Sequence, residues 1–145
     1  MLNRTPTEND LSCLYYELGC HGASAVGQKS SWPYHPRCLE ELFCLACDFS
    51  RHDPRLITIL VRFLADKTKV LNPSLVRSFY SRMNTPQTIA VIAEFVLRYA
   101  DLGEEGVYLL EYLQKGQTPV PLQYYFHHLY LPGGQLAERA VNRSL

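Results

Sequence analysis

The chain lacks any uninterrupted apolar run near the roughly 18 residues that a membrane-crossing helix needs. Its longest, Ile89 to Val96, is broken by Glu94. Residues 1 to 10 hold Arg4, Glu8 and Asp10, with no apolar stretch behind a basic start, so no secretory signal is read there. A soluble, cytoplasmic protein is the expectation. Charge is scarce: Asp, Glu, Lys and Arg make up 19% of the 145 residues, against about 25% in ordinary domains, and the net charge is zero. Catalytic signatures are missing as well. No Gly-rich phosphate loop, no H-E-x-x-H and no G-x-S-x-G occurs. The pairs Glu40-Glu41 and Glu104-Glu105 fall where helix faces or helix starts account for them. The chain is therefore read as a non-enzyme.

Capped helix starts are plentiful by contrast. Asp53-Pro54, Asn72-Pro73 and Thr85-Pro86 each set a capping side chain before proline and an apolar run. The Asp, Asn or Thr oxygen accepts an otherwise unpaired backbone N–H, while proline has none to lose and presets φ. The apolar period places helices near 8–18, 39–49, 54–67, 73–83, 86–100 and 104–115. Further helices are read from Pro121 through Tyr130 and from Gln135 onward. The 86–100 segment has almost no polar face and is expected to be the central helix.

The expected fold is all-α: a single domain, 1–145, of about seven or eight helices. It is either a bundle or a short α-solenoid-like stack of antiparallel helix pairs. Pro54, Pro86 and Pro121 begin alternate helices at intervals of 32 and 35 residues. That period is similar to the length of two-helix solenoid units such as TPR or HEAT-like repeats, although the side-chain pattern matches no consensus of either. Residues 53–145 are read as the stacked pairs and 1–50 as a looser cysteine-bearing cap. Within that cap, Gly19 to Pro36 is rich in Gly, Ser and Pro and too long for a simple connector, so it is expected to be mobile or functional.

Three sets of residues invite a functional reading. All five cysteines precede residue 48, and Cys20, His35, Cys38, Cys44 and Cys47 have the donor chemistry for zinc or an iron–sulfur cluster. The competing reading is that Cys44 and Cys47 are small core residues of an apolar helix, as free cysteine often is. Residues 1–49 carry three basic side chains against six acidic, whereas residues 50–82 carry seven basic against two acidic. Arg62, Lys67, Lys69, Arg77 and Arg82 could thus meet nucleic-acid phosphates, with Arg77 and Arg82 facing outward. A solvated face paired with the acidic N-terminal part is the alternative. The third set is aromatic: Tyr112, Tyr124, His127 and His128 could line a protein-binding surface, because tyrosine offers large contact area with a polar handle. From these readings follows an expected function. The chain is taken as a non-catalytic helical protein-interaction module, a scaffold or adaptor that binds a protein partner or itself, with no cofactor. A zinc or iron–sulfur protein and a nucleic-acid-binding domain are the two alternatives.

Overall fold

The computed structural model describes residues 1–117, and these form an all-α fold with no strand among them. Its helices are α1 (Glu8–Cys20), α2 (Leu39–Phe49), α3 (Arg55–Lys67), α4 (Pro73–Ser78), α5 (Gln87–Tyr99) and α6 (Glu104–Gln114), with a 3₁₀ turn at Tyr80–Arg82. The helices read from Pro121 onward, and the third proline of the period, lie outside the described residues. None of these helices is long and apolar enough to cross a membrane.

Local chemistry accounts for the helix starts. Thr7 and Asp10 form a reciprocal capping box on α1: the Thr7 hydroxyl accepts from the Asp10 N–H at 3.2 Å and the Asp10 carboxylate accepts from the Thr7 N–H at 2.9 Å. On α2 the cap is the Cys38 sulfur, which accepts from the Glu41 N–H at 3.5 Å. Asn72 caps α4 by accepting from the N–H groups of Ser74 and Leu75, and the Asp53 carboxylate accepts from the Arg55 N–H at 3.1 Å. Thr85 departs from the expected pattern. Its own N–H and hydroxyl, and the Asn84 N–H, are taken by the buried Asp48 carboxylate of α2. The helix expected over 73–83 also breaks at Ser78, whose hydroxyl bonds back to the Leu75 carbonyl at 2.5 Å and competes with continuation of the helix.

Packing assigns the centre differently from the periodicity. α2 lies against α1, α3, α4 and α5, and every residue from Leu42 to Ser50 is buried. Its polar groups are satisfied across the core. Glu40 accepts from the Asn72 N–H at 2.9 Å, and Asp48 holds the start of α5. By contrast α5, expected to be central, packs on α2, α3 and α6 but leaves Tyr99 57% exposed at its end. The reason is composition at the helix–helix seams: between Leu42 and Phe49 the only polar side chain of α2 is Asp48, so no face of that helix suits water. The N-terminal part read as a looser cap thus supplies the innermost helix.

Candidate functional site

A network of three side chains sets α1 against the start of α3. The Tyr15 hydroxyl of α1 donates to the Asp53 carboxylate, which also accepts from the Arg55 side chain at 3.2 and 3.1 Å. The Arg55 guanidinium lies over the Tyr15 ring, 5.4 Å from its centroid. Burial pushes the Asp53 carboxyl up, but the bonds from Arg55 and Tyr15 outweigh it and hold the group below the usual carboxylate value. Burial and the neighbouring Asp53 push the Tyr15 hydroxyl well above its ordinary value. A neutral donor and an ionised acceptor therefore face each other, which suits a structural clamp.

The segment after α1 then folds back over it. Gly22, at φ +91°, takes a left-handed turn that other residues rarely adopt. Gly27 comes so close to α1 that an added Cβ would lie 1.9 Å from the Ser12 carbonyl oxygen. The Gln28 N–H donates to the Ser12 hydroxyl at 2.9 Å, the Ser30 hydroxyl to Asn9 at 2.7 Å, and the Trp32 ring N–H to Asp10 at 3.2 Å. Trp32 is 6% exposed and packs with Tyr34 and Phe49, so this part of the long connector is bound into the core.

Between α1, α3 and this returning segment runs a groove of about 420 Å³, lined by Glu8, Leu11, Ser12, Tyr15, Ser24, Ala25, Val26, Arg55 and Ile59. The lining mixes aliphatic side chains with two hydroxyls from serine, one carboxylate and one guanidinium. Val26 is 95% exposed, the most exposed of the large hydrophobic side chains among the described residues. Two smaller hollows, about 170 and 230 Å³, share Tyr34, His35 and Pro36 as walls.

The residues singled out in the sequence are dispersed. Cys44 and Cys47 are fully buried in α2, and Cys44 donates to the Val76 carbonyl at 3.7 Å. Burial pushes both thiols up, which favours the protonated form. Cys38 is half-buried at its capping position, and Cys20 and His35 are exposed. Among the described residues no three His, Cys, Asp or Glu side chains are grouped so as to hold a metal ion. Of the five cations, Arg77 is not turned outward. It donates to the carbonyls of Tyr112 and Lys115 at 2.9 and 2.6 Å and lies over the rings of Tyr80 and Tyr112. The cause is an unmet need at the C-terminal end of α6, whose last turn has no basic residue of its own. Arg82 stands over the Phe79 ring, 3.8 Å from Glu41. Lys67 lies over the Phe63 ring, while Arg62 and Lys69 are exposed. Tyr112 is half-buried beneath Arg77. Tyr124, His127 and His128 lie outside the described residues.

Sequence reading missed Glu8, Leu11, Tyr15, Val26, Arg55 and Ile59 as one site. The signal available for it was the Gly- and Ser-rich run after α1, too long for a connector. Its destination depended on contacts spanning up to 38 residues, as between Tyr15 and Asp53. No family model, curated protein or solved structure matches this chain.

Proposed function

We propose that this chain is a non-catalytic helical interaction module, a scaffold or adaptor that seats part of a protein partner in the groove between α1 and α3. The observation that carries the reading is Val26, 95% exposed beside Leu11 and Ile59 in the lining of the groove. Covering such a side chain on binding is worth roughly 1.5–3 kcal/mol, enough to anchor a contact. The non-catalytic part rests on the neighbouring ionisable groups: the Tyr15 hydroxyl and Asp53 are spent on each other and on Arg55. The polar groups along the edges, Glu8, Ser12, Ser24 and Arg55, offer orientation to a seated segment.

The test is site-specific photo-crosslinking in cells from position 26, with a control crosslinker at the exposed Ser81. A discrete adduct from position 26 and not from 81 is expected, and the captured protein, once purified, should lose affinity for Val26→Glu. Sedimentation velocity then separates a foreign partner from a second copy. Equal crosslinking from both positions, or none from 26, overturns the proposal.

A further inference from the structure

We propose that the partner seated in this groove is a second copy of the chain, the two copies meeting across a twofold axis so that each inserts its Val26 into the groove of the other. The inference rests on the groove being a docking site and names its occupant. A twofold interface must be complementary to itself: what one copy offers at one place, the same surface receives at another. The apolar groups meet that condition. Val26, 95% exposed, is a ready plug, and the same groove holds Leu11 and Ile59, both half-buried, as its seat.

The charges meet it as well. Glu8, Leu11, Ser12 and Tyr15 follow at i, i+3, i+4 and i+7, so the groove runs along one face of α1. Glu8 stands at one end of that face, exposed and in no ion pair among the described residues. Arg55 stands at the other end, over the Tyr15 ring, and residues 8 and 15 are about 10 Å apart along the helix axis. The pair with Asp53 does not exhaust this guanidinium. Asp53 accepts from Nε and Nη2, whereas Nη1 makes no hydrogen bond among the described residues, and 73% of the side chain is exposed. A twofold axis through the middle of the face, near Leu11 and Ser12, brings Glu8 of each copy to Arg55 of the other. One carboxylate and one guanidinium at opposite ends give no preference for an acidic or a basic ligand, but they match the same surface turned end for end. Long-range repulsion is absent too, since 14 basic and 14 acidic side chains leave the chain with a net charge of zero.

The test is sedimentation velocity on the full chain from about 1 to 300 µM, where a homodimer of modest affinity dissociates. The variants are Val26→Glu and Glu8→Arg, with Ser81→Glu as an exposed control outside the groove. Expected is a monomer–dimer equilibrium in the parent and in Ser81→Glu, with a dissociation constant about tenfold larger in Val26→Glu and several-fold larger in Glu8→Arg. A chain that stays monomeric throughout, or a dimer indifferent to both groove variants, would overturn self-docking. Oligomers that keep growing with concentration would overturn the twofold arrangement, because only a head-to-tail contact stays open. Crosslinking from position 26 then decides the groove separately: a foreign adduct leaves the docking site standing, and no adduct removes both.

Discussion

Replacing Asp10 by alanine tests how the groove is held together. Its carboxylate is 1% exposed and accepts from both terminal nitrogens of Arg4, from the Thr7 N–H and from the Trp32 ring N–H. Removing it strands the Trp32 donor in the core, at a cost of about 1–3 kcal/mol. It also opens the capping box of α1, worth about 1 kcal/mol. The Arg4 pair adds little, since the Arg4 side chain is 41% exposed and screened by solvent. The sum is about 2–4 kcal/mol, a large part of the roughly 5–15 kcal/mol that holds a typical domain together. Urea unfolding followed by fluorescence measures it directly, because Trp32 is the single tryptophan and its emission reports this segment. Asp10→Asn, which keeps an acceptor oxygen, should lose about half as much. The pH dependence has a definite sign. Burial raises the Asp10 carboxyl, but hydrogen bonds from Arg4 and Thr7 outweigh it, so the folded value lies below the ordinary one. Its stabilisation is therefore complete above an unfolded value of about 3.9 and drains away as pH falls through the folded value. Acid should destabilise the parent protein more steeply than Asp10→Asn. A loss under about 1 kcal/mol for Asp10→Ala, or equal losses for alanine and asparagine, would refute the account.

Other perturbations probe separate links. Arg77→Ala should cost about 2 kcal/mol in thermal or urea unfolding, because it leaves the Tyr112 and Lys115 carbonyls without their donor, and Arg77→Lys should recover little since one ammonium cannot reproduce the stacked fork. Gly27→Ala should cost about 1–3 kcal/mol and weaken binding at the groove, as the new methyl meets the Ser12 carbonyl at 1.9 Å and must push the segment away; unchanged urea stability would contradict this. Thiol labelling of the native protein should reach Cys20 first and Cys38 more slowly, with Cys44 and Cys47 modified only on unfolding. Mass spectrometry of timed samples checks the order, and Cys44 labelled as fast as Cys20 would show that α2 is not the innermost helix.

Helix spans were legible because their causes are local. The 39–49 span needed only the apolar spacing of Leu42, Phe43, Ala46 and Phe49, and it matches α2 from end to end. α3, α5 and α6 begin and end within a residue of expectation, since proline and capping chemistry act over three or four residues. The same locality explains two misreadings. Thr85 looked like a cap because nothing nearby in sequence announces Asp48, 37 residues earlier, as the competing acceptor. Arg77 looked solvent-facing because its helix is amphipathic, while the carbonyls it satisfies stand 35 and 38 residues further along.

The amino-acid sequence by itself thus determined an all-α chain, the extent of α2, α3, α5 and α6 and the presence of an irregular segment between α1 and α2. All of these follow from backbone preference and apolar period within a few turns. Only the tertiary structure decided that α2 is the innermost helix, that Trp32 is drawn onto Asp10 and that Tyr15, Asp53 and Arg55 clamp α1 to α3. Those outcomes depend on which apolar faces meet and which buried polar groups must share partners, a choice among distant residues that no local pattern encodes. The groove and its exposed Val26 are products of that second choice.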